Sequence, residues 1–334
     1  MNNLSEEKRK VEEFIMLLQE CKEEIQSNRN SDGRFDTLWN QYASLFETRI
    51  QESYGILSCE VDMTKVKALQ ETTYSVLLSH AEVSKNDIRI AINELDRFKY
   101  SVYKEIESIV DEIKYNIQEK IRKEFEHFKT DGFDAIDNMS KKKLEPYLRK
   151  KEDELIKSIN HNISKAKYYG TIVLRDFVQN EIERLKEIVN EKDLLNLKFL
   201  IEKLEVYRRH ELPHNLEIES MKEIIFDEMH NGVPRMCMDP SLFWTIVSAL
   251  IAPVVSAVSL VGKRKKKKAK SEFLENLDRQ KTDMIHRNCS SIESLFYKQR
   301  SIICNLIDCE IELLKSLEVE IDKTMIIINK LKPC

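Results

Sequence analysis

The sequence predicts an all-α protein, an elongated antiparallel bundle of long helices. Three observations carry this expectation. First, 334 residues contain only six glycines and six prolines, far fewer turn residues than a doubly wound sheet or a β-sandwich needs. Second, 34% of residues are charged and 42% hydrophobic, with Leu and Ile set among Glu and Lys, the composition of amphipathic helices. Third, no glycine or proline interrupts the chain between Gly55 and Gly132. That much apolar material excludes a disordered chain.

The elements follow in order. Ser5, with Glu6 and Glu7 after it, fits the start of a first helix. Val11, Phe14, Ile15, Leu18, Cys21 and Ile25 then recur at helical spacing. The run from Ser27 to Gly33 reads as a loop. Asp36 fits the cap of a second helix carrying Leu38, Tyr42, Leu45 and Ile50.

Ile88, Leu95, Val102, Ile106, Ile109, Ile113, Ile117, Ile121, Phe125 and Phe128 form one stripe. The stripe predicts a helix of roughly 40 residues, about 60 Å long. Its spacing is not a strict heptad, which favours bundle packing over a two-stranded coiled coil. A further helical region runs from Lys142 to Arg209, through Leu144, Leu148, Leu155, Ile159, Ile163, Leu185, Ile188, Leu195 and Leu204, with Gly170 as the place for a bend. Pro213, Gly232, Pro234 and Pro240 break the chain. From Phe273 to Leu331 the pattern is helical again, with Ile303, Leu306, Leu313, Leu317, Ile321, Met325 and Ile328 on its apolar face. The expected division is 1–132, an N-terminal helical bundle region; 133–232, central long helices; 233–270, an apolar segment with a basic collar; and 271–334, a long return helix.

The apolar segment, Ser241 to Gly262, carries no charge and ends on the basic run Lys263 to Lys270. As one helix its 22 residues would measure about 33 Å, near the hydrocarbon thickness of a bilayer. Its candidate membrane-binding residues are Leu242, Phe243, Trp244, Ile246, Val247, Leu250, Ile251, Pro253, Val254, Val255, Val258, Leu260 and Val261, the aromatic pair suiting an interface. Lys263, Arg264, Lys265, Lys266, Lys267, Lys268 and Lys270 are candidates for anionic lipid, each lysine or arginine contributing about 1 kcal/mol beside an anionic leaflet. A buried core helix leaves the basic run without a purpose. A spanning helix would require export of some 240 preceding residues without a signal. Pro253 divides the segment into arms too short to span alone. A shallow hairpin, a hydrophobic membrane-binding tip, is therefore the favoured reading.

Other chemistry is missing from the sequence. No G-x-x-x-x-G-K-[ST], G-x-G-x-x-G or G-x-S-x-G stretch occurs. His210-Glu211-Leu212-Pro213-His214 matches H-E-x-x-H, but Pro213 falls inside the turn that must be helical for both histidines to share a face. It reads as chance, and no catalytic, cofactor or metal residue is expected. The net charge of −4 comes from interleaved acids and bases, which argues against nucleic acid as partner. Seven cysteines at no metal-like spacing suggest reduced thiols; Cys304 and Cys309 read as small core residues. The opening Met1 to Phe14 has no apolar h-region, which suits a cytoplasmic protein associated peripherally with the inner face of a membrane.

Ala249 to Lys268, with the helix from Ser271 onward, resembles the helical trunk and paddle of bacterial dynamin-like proteins. The resemblance implies a non-enzymatic membrane-remodelling scaffold, with anionic lipids, further copies of the chain and a separate GTPase as partners, since no GTPase motif is present. The architecture is also similar to that of α-helical pore-forming toxins, which implies insertion of the apolar tongue into a bilayer.

Overall fold

A computed structural model describes residues 2–28, 33–58, 62–192, 197–210 and 263–333. These are all-α: six helices and two short 3₁₀ turns, with no strand among the described residues. They are α1 (Asn2–Asn28), α2 (Asp36–Leu57), α3 (Met63–Asn138), α4 (Lys141–Lys192), α5 (Lys198–His210) and α6 (Lys263–Ile328).

α1 buries the six side chains its periodicity singles out, Val11 to Ile25. It begins at Asn2, so Ser5 lies within the helix rather than at its cap. α2 begins at Asp36 itself, after Phe35, with no side-chain cap bond. Its core residues are Trp39, Tyr42, Phe46 and Ile50. Leu38 and Leu45 are half-buried, because the large aromatic rings one position on take the inward face. α3 is capped by Asp62, whose Oδ1 accepts the Thr64 N–H at 2.9 Å. At 76 residues it is almost twice the length the stripe predicts.

The region expected from Lys142 to Arg209 forms two helices, α4 and α5, and α4 runs through Gly170 without ending. α6 starts at Lys263, so the basic run forms its first turns. Along α6 the core runs through Ile303, Ile307, Ile311, Leu314, Leu317, Ile321 and Ile327. Leu306, Leu313 and Met325 stand at its margin. Cys304 is buried, whereas Cys309 is exposed, five positions on and hence on another face.

The chain forms two compact units, the first gathered from three stretches and the second from two. The first comprises Met1–Tyr100, Glu181–Leu204 and Cys304–Cys334. Here α1 packs on α2, with an ion pair between Lys22 and Glu47. The chain's end is held to α1: the Cys21 thiol donates to the Ile327 carbonyl at 3.8 Å, and Lys330 pairs with Glu24 at 2.5 Å. α3 and α6 are joined by Lys85–Asp322, by Arg89–Glu318 at 2.6 Å and by Lys99–Asp308 at 2.6 Å. In every pair the two residue numbers add to the same value. One step forward on α3 is one step back on α6, so the two segments run antiparallel.

The second unit comprises Ser101–Asn180 and Glu205–Ile303. The same numbering rule holds for Glu107–Arg300 at 4.0 Å, Lys114–Glu293 at 2.5 Å, Gln118–Cys289 at 3.6 Å and Asp137–Lys270 at 2.5 Å. Ile106, Ile109, Ile113, Ile117, Ile121, Phe125 and Phe128 are all buried. Their steps of three and four average close to the 3.6 residues of an unstrained helical turn, not the 3.5 of a left-handed coiled coil. α4 joins this pair through Ser158–Glu124 at 2.8 Å and Lys167–Ser291 at 3.0 Å.

Gly170 makes the close approach possible. A Cβ there would collide with Ile113 Cδ1 and lie 2.6 Å from Phe296 Cζ. Burying a large apolar side chain stabilises by about 1.5–3 kcal/mol, while a surface ion pair contributes about 0–1. The core therefore holds the helices together, and the ion pairs mark the register in which it does so.

Candidate functional site

The expected site divides into two parts. Leu242 to Val261, all thirteen apolar candidates, lie outside the described residues, as does the His214 end of the H-E-x-x-H stretch. His210 is the last residue of α5, and no group of metal-ligating side chains occurs among the described residues. Among them, too, no helix is long and apolar enough to cross a membrane. What the fold does place is the basic run.

Lys263 opens α6, and no acidic residue stands in its first turn. Arg264 and Lys265 follow in that turn. Lys266, Lys267 and Lys268 are exposed, and Lys270 is half-buried. Between them Ala269 is wholly buried, and one turn later so is Phe273. The Phe273 ring packs against Phe128 and Phe133, with centroids 5.8 and 6.1 Å away. It also lies against the backbone of Gly132, where an added Cβ would sit 2.6 Å from Cζ. A small residue in α3 thus seats the first turns of α6 and fixes which lysines face outward.

The last turn of α3 receives two of those lysines. Lys266 Nζ donates to the Asp137 carbonyl oxygen at 2.8 Å, and Lys270 Nζ to Asp137 Oδ2 at 2.5 Å. Lys270 also stands 5.0 Å from the Phe133 ring centroid. The arrangement is electrostatically coherent. Carbonyls at a helix C-terminus have no intrahelical partner and carry partial negative charge. Asp137 adds a full one, and the cations of α6 answer both. Lys268 is 3.8 Å from Glu272 on its own helix and remains 77% exposed.

Asp137 stands just before the corner at Met139 and Ser140, where α4 begins. The corner is closed by the Leu144 N–H donating to Ser140 O at 3.0 Å. Three further lysines, 141–143, open α4, again with no acid in the first turn. Lys142 and Lys143 are exposed. These residues carry the same sequence signal as the collar, a run of lysines shortly after Asp137; only the fold brings the collar to that same residue.

One other side chain is unusual. Glu152 of α4 is fully buried, and neither carboxyl oxygen has a hydrogen-bond partner among the described residues. Burial, with the Asp153 charge adding to it and Arg149 opposing, raises its pKa to about 8.

No protein-family model, no curated protein and no solved structure matches this chain.

Proposed function

We propose that the chain is a non-enzymatic, membrane-binding helical scaffold. In this reading α3 and α6 form an elongated antiparallel trunk, and the segment before α6 is its apolar tip. The observation that carries it is one of adjacency: the uncharged stretch Ser241 to Gly262 runs straight into a helix that opens on Lys263 to Lys270. An apolar segment gains by entering hydrocarbon, and cations beside it gain by meeting anionic headgroups. The opposite numbering of the α3 and α6 pairs supports an antiparallel trunk. The scaffold acts peripherally on the cytoplasmic face of a membrane. Its likeness to the trunk and paddle of bacterial dynamin-like proteins makes a separate GTPase and further copies of the chain its expected partners.

Co-sedimentation with anionic vesicles tests the reading. The full chain binds, and binding weakens as salt is raised. A variant carrying Ile246→Asp, Leu250→Asp, Val254→Asp and Val258→Asp loses it; undiminished binding by that variant overturns the proposal. Vesicles loaded with dye separate adhesion from insertion. Retained dye fits a scaffold, and release on binding would instead make the chain a pore former.

A further inference from the structure

We propose that the cationic surface has a second arm. Lys142 and Lys143, at the opening of α4, join Lys266, Lys267, Lys268 and Lys270, at the opening of α6, in one face for the anionic headgroups of a bilayer. The inference rests on the membrane reading above and adds to it a segment more than a hundred residues away in sequence.

Asp137 brings the two runs together. It accepts hydrogen bonds from both Lys266 and Lys270. Only five residues separate it from Lys142, so at most about 18 Å of chain lies between them. All of these residues belong to the second compact unit.

The charges do not cancel. Asp137 answers Lys266 and Lys270, and Glu272 faces Lys268 at 3.8 Å. Glu145, the nearest acid along α4, is taken by Arg149 at 3.0 Å. Lys142, Lys143 and Lys267 are exposed and form no ion pair among the described residues.

Lys266 and Lys270 serve the end of α3, but folding stability gives no such reason for Lys142, Lys143 and Lys267. A helix N-terminus carries about half a positive charge, where carboxylates stabilise and lysines destabilise. Both α4 and α6 nevertheless open on lysines with no acid in the first turn. An anionic headgroup meeting the lysine ammoniums relieves this repulsion on both helices at once. A bilayer suits the site better than nucleic acid does. The uncharged stretch Ser241 to Gly262 leads into the same helix, and Phe133, the aromatic ring beside the lysines, is covered by Lys270 and so closed to base stacking.

The test uses the full chain with Lys142→Gln and Lys143→Gln, on phosphatidylcholine vesicles with and without phosphatidylserine. Affinity for the phosphatidylserine vesicles should fall about thirty-fold, with affinity for phosphatidylcholine alone unchanged. The thermal midpoint should hold or rise, because two unfavourable charges leave a helix start; a merely structural pair of lysines would lower it. The charge-keeping variant Lys142→Arg with Lys143→Arg should bind like wild type. Unchanged phosphatidylserine binding by the glutamine variant overturns the second arm and leaves the membrane reading standing. Failure of the wild-type chain to bind either vesicle overturns both. Binding to duplex RNA in place of vesicles, lost in the glutamine variant, assigns the face to nucleic acid and overturns the proposal.

Discussion

Glu152 shows what a single side chain can do inside this fold. In the unfolded chain its carboxyl titrates near the ordinary 4.5, whereas burial moves it to about 8 in the native state. The folded protein thus holds a proton that the unfolded chain releases. Stability from this group is complete below about pH 4.5 and is lost as pH rises through about 8, by up to about 1.4 kcal/mol per pH unit in between. Glu152→Gln should flatten that slope. In urea unfolding it should match wild type near pH 5 and exceed it near pH 9. A wild-type curve that does not fall across this window removes the assignment. Nothing in the sequence marks Glu152, which sits among Lys151, Asp153 and Glu154 like any solvated charge. Only its phase on α4, one turn before Ile156, turns it inward. The cysteines were partly legible: Cys21 and Cys304 are buried as small apolar residues would be, whereas Cys309, read the same way, is exposed.

Helix packing makes the same substitution act in opposite directions. Alanine is a better helix former than glycine by about 1 kcal/mol. At Gly55, in α2, an added Cβ meets nothing within 4 Å, so Gly55→Ala should raise stability by about that amount. At Gly170 the methyl must displace Ile113, Phe296 and Ile109, and overpacking costs about 1–3 kcal/mol. Gly170→Ala should therefore lower stability by about 1 kcal/mol, measured as a shift in the urea midpoint. A gain at Gly170 would mean the helices can part there at no cost. The sequence announced the helices themselves, because apolar residues at three- and four-residue steps leave few alternatives. It did not announce where they end. The stripe from Ile88 to Phe128 omits Val66, Leu77 and Ala81, whose wider spacing hid the first part of α3. In α2 the heavier rings of Trp39 and Phe46 displaced Leu38 and Leu45 from the centre. Nor could composition show that Gly170 lies against another helix rather than at a bend.

At the scale of the whole molecule, the lysine collar was legible as a run of like charge, while its counterpart at 141–143 required the fold. That Lys266 and Lys270 meet Asp137 is a tertiary fact, and no local pattern contains it. The register that α3 and α6 keep inside each unit is tertiary as well, and it constrains how such a chain can change length. Within the second unit, Glu107 and Lys114 face Arg300 and Glu293. An insertion between the first two would throw every later pair on α3 out of step with α6. Eleven residues, close to three whole turns, placed between Glu107 and Lys114 should abolish cooperative unfolding. The same insertion made there, between Glu293 and Arg300, and beside Gly170 on α4, which packs against Ile113 and Phe296, should restore a single sharp transition by circular dichroism. These stretches of chain, far apart in sequence, can grow or shrink only together, so a deletion in one is repaired only by matching deletions in the two helices packed against it.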